Sequence, residues 1–213
     1  MASIVNIPDY TFTSPTSISI SGVSSSGKSF WTALVIKNKD VMFQDPPKRV
    51  MYCYGIWQNS FEELEKMGVE FVEGLPPANI GQDSSSSHLL LIVDDMMNEV
   101  MESHAVMKLF TAGSHHQNIT LMYLNQNIYC PGKHARTIAL NCHYLVLFQN
   151  PRDFQQISRL GGQLGMGSLL VEAYKDSILT PFGYLLVDIS PHSTHPYRLR
   201  SKVLPGEDTV VYW

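Results

Sequence analysis

The strongest constraint on this chain is the eight-residue stretch Gly22-Val-Ser-Ser-Ser-Gly27-Lys28-Ser29. Before it, Thr16–Ser21 (TSISIS) alternates apolar and polar residues in the manner of a strand. After it, Phe30–Asn38 (FWTALVIKN) reads as a buried helix. A Gly/Ser turn between strand and helix fits the pattern G-x-x-x-x-G-K-[ST] at every specified position. The glycines permit backbone angles that side chains forbid, so amide N–H groups can turn inward toward phosphate oxygens. The positive end of the following helix points to the same place. In this reading Gly22, Val23, Ser24, Ser25, Ser26, Gly27, Lys28, Ser29 and Phe30 surround the phosphates of ATP. Lys28 reaches the β- and γ-phosphates, and Ser29 places its hydroxyl on Mg²⁺. The competing reading is a flexible Gly/Ser turn.

The rest of the chain alternates between the two kinds of element. Strands are predicted over Ser17–Ser21, Arg49–Tyr54, Val69–Val72, Leu89–Asp94, Thr120–Asn125, Tyr144–Gln149 and Tyr184–Asp188. Helices are predicted over Lys28–Asn38, Ser60–Met67, Glu99–Ala112, Arg152–Leu164 and Ser168–Ser177. Several strands are nearly continuous apolar runs (LLLIVD, YLVLF, YLLVD), as expected of strands covered on both faces of a largely parallel sheet. The expected fold is α/β, a three-layer P-loop fold around a largely parallel central sheet. The 213 residues suit a single domain, residues 1–213, with a core over about 17–189 and a C-terminal extension over 190–213. No repeat or long linker interrupts it, and the serine run Ser84–Ser87 suits a surface loop.

Composition narrows the class further. The net charge is −4, so no basic arm is available for nucleic acid, and such contact would be local or built by assembly. The longest apolar run is too short to span a bilayer, and no secretory signal opens the chain. Three cysteines, Cys53, Cys130 and Cys142, favour free thiols in a reducing intracellular compartment.

A phosphate loop needs a metal partner, and HLLLIVDDMM supplies one. Asp94 follows five apolar residues and is assigned to Mg²⁺, directly or through water. Asp95 is placed to polarise the attacking water. Either carboxylate could instead cap the next helix. The following apolar strand, ITLMYLNQN, ends in amides. In the additional-strand class a polar residue there senses the γ-phosphate, and Gln126 is the first choice, with Asn125 second. The alternative is an Asn/Gln turn closing a strand. Charge developing on the γ-phosphate is often met in ring ATPases by an arginine of the neighbouring subunit. Arg136, in the Pro/Gly loop YCPGKHARTIALN, is preferred over Arg152. Lys133, His134 and Arg136 could alternatively contact DNA phosphates or form an ordinary solvated loop.

His115, His116, Cys130, His134, Cys142 and His143 do not make a compact zinc site, since adjacent Cys142 and His143 on a strand would face opposite ways. Cys53 and Cys142 suit the core. Tyr54 or Trp57 could touch a base, with core or interface packing as the stronger reading. The tail LPGEDTVVYW is either a partner-binding segment or a free end.

The segments GVSSSGKS, LLLIVDDMM, SHHQNITLMYLNQNIYCPGKHARTIALNCHYLVLFQNPRD and PFGYLLVDIS resemble the genome-packaging ATPases of Polinton/Maverick-type elements and adintovirus-like DNA viruses. These belong to the FtsK–HerA superfamily, alongside the poxvirus packaging ATPase. The resemblance covers about Ser17 to Ile189 and is most specific from Ser114 to Asp153. It implies a RecA-like ATPase core, a homo-oligomeric ring (pentamer or hexamer), capsid or portal-vertex partners, no membrane, and ATP-driven movement of double-stranded DNA into a capsid. It implies a location in the host nucleus or cytoplasm, or with the virion. Lys28 and Ser29 match the Walker A residues, Asp94 and Asp95 match Walker B, Gln126 matches the sensor, and Arg136 the trans-acting finger. Asp95 departs from the more widespread Glu. Rival readings are a helicase or segregation pump without a capsid, a nucleotide-dependent switch or assembly scaffold, and a small-molecule kinase, the last disfavoured by the missing arginine-rich lid.

Overall fold

The computed structural model describes residues 2–4, 10–77, 79–80, 87–113, 117–129, 132–152, 154–191, 193 and 197–213. Their strands are β1 (Ala2–Ile4), β2 (Ser17–Ser21), β3 (Arg49–Tyr54), β4 (Glu70–Glu73), β5 (Leu89–Asp94), β6 (Ile119–Asn125), β7 (Tyr144–Phe148), β8 (Tyr184–Asp188), β9 (Leu199–Ser201) and β10 (Val210–Tyr212). They form one sheet in the order β1-β10-β9-β8-β7-β2-β6-β5-β3-β4. The six strands from β7 to β4 are mutually parallel. The four at the other edge run antiparallel to their neighbours. Strand β6 thus lies between β2 and β5, the arrangement expected for the additional-strand class.

Helices cover both faces. One face carries α1 (Lys28–Lys37), α2 (Lys39–Met42) and α3 (Phe61–Lys66), packed through Trp31, Val35, Met42 and Leu64 against Ile18, Ile20, Leu90 and Ile92. The other carries α4 (Met97–Glu102), α5 (His104–Lys108), a π-helical turn (Leu109–Gly113), α6 (Ala135–Asn141), α7 (Phe154–Gln163) and α8 (Ser168–Ser177). Their Val100, Val106, Ile157 and Leu170 meet Leu91, Val93 and Leu121. Alternate residues of each central strand therefore serve opposite cores, which is why these strands read as unbroken apolar runs.

Three expectations need correction. The single helix expected over Glu99–Ala112 is broken at Ser103, whose backbone is extended and whose Oγ accepts from the Val106 N–H at 3.3 Å. A serine side chain that satisfies the first free N–H groups starts a new helix rather than continuing an old one. The basic stretch around Arg136 is not a loop: Arg136 is the second residue of α6, and Ile138 anchors that helix in the core. The tail is neither free nor exposed as a whole, because β10 enters the sheet between β9 and β1 and buries Val211 and Tyr212. Two smaller readings hold. Cys53 and Cys142 are buried free thiols, each pushed up to about 12 by burial. Tyr54 and Trp57 pack with Phe61 and Phe71 at ring separations of 5.3 to 6.1 Å, the packing rather than base-contact reading. His115, His116, Cys130 and Ser84 to Ser86 lie outside the described residues.

Candidate functional site

The loop from Gly22 to Gly27 leaves the carboxyl end of β2 and is fastened to the two strands beside it. The Gly22 N–H donates to Asn125 O at 3.3 Å, and the Val23 N–H to Gln149 O at 3.4 Å. The turn closes through Ser26 N–H to Val23 O at 3.2 Å. Both glycines are required by position. A Cβ at Gly22 would stand 2.6 Å from Phe148 Cβ, and Gly27 has φ 109°, a left-handed value that favours glycine. Ser25 accepts a similar conformation at φ 63°. Helix α1 starts at Lys28, so its free N–H groups face the loop.

Lys28 Nζ donates to the carbonyls of Gly22 (2.6 Å) and Val23 (3.0 Å). Burial lowers its pKa, and the carboxylates of Asp94 and Asp95 pull it back up. Strand parity puts Asp94 on the same sheet face as Leu90 and Ile92, the face that bears α1. There its Oδ2 accepts from the Tyr52 hydroxyl at 2.6 Å and stands 3.5 Å from Ser29 Oγ. Asp94 is buried, and burial raises its pKa, opposed by the Tyr52 hydrogen bond. Asp95 is exposed at φ 54°, and its Oδ1 accepts from Gln126 Nε2 at 3.1 Å. Neither carboxylate caps the next helix: the residue before α4 is Met96, with no side-chain cap.

These groups open onto one cleft of about 520 Å³, large enough for a nucleotide-sized ligand. The loop and α1 contribute Ser24, Ser25, Gly27, Lys28, Ser29 and Phe30 to its walls, and β5 and β6 contribute Asp94, Asp95 and Gln126. Ser29 Oγ and Asp94 Oδ2 are hard oxygen donors side by side, a donor set that suits a Mg²⁺ ion holding most of its own waters.

The structure separates Gln126 from its neighbour. Asn125 is buried, its Oδ1 accepting from Ser21 Oγ at 2.6 Å and its Nδ2 donating to Ser19 Oγ at 2.9 Å. Its amide ties β6 to β2. Gln126, one residue on, faces the cleft. Neither Arg136 nor Arg152 lines the cleft; both are exposed, Arg136 on the first turn of α6 and Arg152 in the turn after β7. Among the described residues no group of three or more His, Cys, Asp or Glu side chains converges. No described helix is long and apolar enough to cross a membrane.

Three residues, two on the cleft wall and one behind it, escape a reading along the chain. Tyr52 reaches Asp94 from 42 positions upstream, and Gln58 and Phe182 complete the wall. Only the register of β3 against β5 brings Tyr52 to Asp94. Phe182 lies within the segment PFGYLLVDIS, yet nothing in that segment points to a phosphate loop.

A phosphate loop at the end of β2, an acidic pair at the end of β5 and a polar strand end between them define the fold and site layout of P-loop ATPases. Solved structures agree on the fold. The chain is similar to the genome packaging NTPase B204 of Sulfolobus turreted icosahedral virus 2 in complex with ATP-gammaS. The TM-score is 0.55 at 14% identity, over 82% of this chain and 93% of that one. The sulfate complex of the same protein gives 0.54 at 14% identity, over 82% and 91%. B204, the DNA-packaging ATPase from Sulfolobus turreted icosahedral virus, gives 0.54 at 15% identity, over 82% and 93%. No protein-family model and no curated protein sequence matches the chain.

Proposed function

We propose that the chain is a Mg²⁺-dependent ATP hydrolase that moves double-stranded DNA, packaging a viral or virus-like genome into a capsid. The observation that carries the hydrolase is the convergence of two pairs in one cleft: Ser29 with Asp94, and Asp95 with Gln126. Loop amides and Lys28 bind the β- and γ-phosphates and hold their charge. Ser29 and Asp94 would hold Mg²⁺, which when bound would neutralise phosphate charge. Asp95 accepts the proton of the attacking water, and Gln126 fixes the carboxylate that does so. The Asp95 side chain is one methylene shorter than that of Glu, so its left-handed backbone and its Gln126 bond set where the base stands.

The packaging role is supported by the family resemblance of the sequence and by the likeness of fold to packaging NTPases. In this reading subunits form a ring, Arg136 of one subunit meets the γ-phosphate of the next, and Lys133 and His134 touch DNA phosphate. Such contacts are salt-sensitive.

ATP hydrolysis with and without double-stranded DNA tests both layers. The motor predicts turnover stimulated by DNA, lost in Lys28→Ala, and lost in Arg136→Ala but partly restored when that variant is mixed with Lys28→Ala subunits. ATP binding with negligible turnover, indifferent to DNA at every protein concentration, would remove the motor from the isolated chain and leave a nucleotide switch or a missing partner. DNA uptake that needs no capsid would favour a helicase or segregation pump.

A further inference from the structure

Beside the phosphate cleft lies a second, smaller cleft of about 220 Å³, floored by Trp31 and Leu34 of α1 and closed by the turn before β8 and the segment after β9. The two clefts share three residues: Gly27, Phe30 and Phe182. Phe182 is 58% exposed and Phe30 61%, with ring centroids 6.0 Å apart. Two large aromatic rings thus stand in solvent at the junction. Phe182 also closes over the phosphate loop, since a Cβ at Gly27 would meet its Cδ1 at 2.8 Å.

The backbone under Phe182 is costly. Thr180 to Gly183 form a turn closed by Gly183 N–H to Thr180 O at 2.9 Å. Pro181 occupies the second position and Phe182 the third, at φ 60°. A turn with positive φ at its third position normally takes glycine or asparagine there. A bulky residue in that conformation, with most of its ring in water, gains little from packing. Strain of this kind gathers where a ligand is held.

The geometry points to Phe182, with Phe30 at its edge, as the stacking platform for the purine base of the nucleoside triphosphate. This inference rests on the phosphate-loop reading. A ligand whose triphosphate lies between Lys28 and Asp95 must leave the loop past Gly27 to extend into the second cleft, and that path crosses the Phe182 ring. Stacking on an aromatic face gives affinity without reading base edges, and a purine offers more face than a pyrimidine. The loop and α1 then set where the phosphates bind, while the turn before β8 sets what the phosphates are attached to.

Calorimetric titration separates the two ends of the ligand. ATP and inorganic tripolyphosphate are titrated, with Mg²⁺, into the wild-type chain, Phe182→Gly, Phe182→Tyr, Phe30→Ala and Lys28→Ala. Phe182→Gly is expected to weaken ATP roughly 10- to 100-fold, leave tripolyphosphate unchanged, and melt no lower than wild type because it relieves the turn. Phe182→Tyr should retain ATP affinity, and Phe30→Ala should weaken ATP severalfold. Lys28→Ala should weaken both ligands. The proposal fails if Phe182→Gly leaves ATP unchanged, or weakens ATP and tripolyphosphate equally. It fails also if the only change is in association state, which would make the ring pair a contact between copies. If the wild-type chain binds neither ligand, or Lys28→Ala alters neither, the phosphate-loop reading itself falls.

Discussion

The parallel half of the sheet, β7 to β4, and the antiparallel edge, β8 to β1, both contain buried apolar strands, yet they contribute differently to the cleft. Each of three parallel strands ends on a residue or loop of the site: β2 on the phosphate loop, β5 on Asp94, β6 just before Gln126. Parallel strands bring all their carboxyl ends to one edge, so groups far apart in the chain meet there without further design. The antiparallel edge cannot do this, because its strand ends alternate. Among the described residues it reaches the cleft through the turn that carries Phe182. Its own strands β1, β9 and β10 are three residues long, and they close the fold through Leu199, Val211 and the Tyr212 hydroxyl, which donates to Asp176 Oδ2 at 2.8 Å. One half is chemistry mounted on a scaffold, and the other is mostly scaffold.

That contrast can be broken by substitution. The largest effect is expected at Lys28→Ala, which should lower ATP turnover by about 10³-fold or more, since it removes the fixed cation at the phosphates. A steady-state assay with unchanged melting temperature would confine the loss to the site. Asp95→Asn should cost on the order of 10²-fold in turnover while ATP still binds, the signature of a lost proton acceptor. Equal turnover in that variant would leave the chain as a switch that binds ATP.

On the other side, Leu199→Ala should destabilise the fold by about 2 kcal/mol or more, read by denaturant unfolding, with little change in turnover per folded molecule. A large fall in turnover there would mean that the edge is not mere scaffold. Tyr52→Phe sharpens the comparison from inside the parallel half. It removes only the hydroxyl that holds Asp94, and should raise the Mg²⁺ concentration for half-maximal turnover about 10-fold.

The smallest effect concerns stability and pH. Burial raises the Asp94 pKa, so between the ordinary carboxylate value and that raised value the folded chain binds more protons than the unfolded one. Stability contributed at this position therefore falls as pH rises through that window. Asp94→Asn should remove this dependence and raise the melting temperature at neutral pH by ~2–4 °C, about 1 kcal/mol, in the absence of Mg²⁺ and nucleotide. A lower melting temperature would mean that the Tyr52 and Ser29 contacts outweigh desolvation.

Much of the parallel half was legible along the chain. Strands β2, β3 and β5 fall where continuous apolar runs or alternation place them, as does β8 of the antiparallel edge, and helices α1 and α8 fall where the apolar pattern does. The phosphate loop was legible because its turn chemistry is local. Strands β1, β9 and β10 were not, since three residues are too short to show a period. Helix α6 was hidden behind Pro131 and Gly132, which read as a loop, while its burial through Ile138 depends on a surface made by other segments. Asn125 and Gln126 are adjacent amides with the same local signal. Only the pairing of β6 with β2 consumes the first and leaves the second facing the cleft.

The amino-acid order alone specifies a strand–loop–helix able to receive phosphate, a carboxylate pair at a buried strand end, and an α/β fold. Each of these depends on residues close together in the chain. The tertiary structure decided that Tyr52 holds Asp94, that Asn125 is structural, that the tail is a strand, and that a strained Phe182 overhangs the loop. These depend on register and on contacts between segments, 42 residues apart for Tyr52 and Asp94 and 104 for Asn125 and Ser21, which no local periodicity encodes.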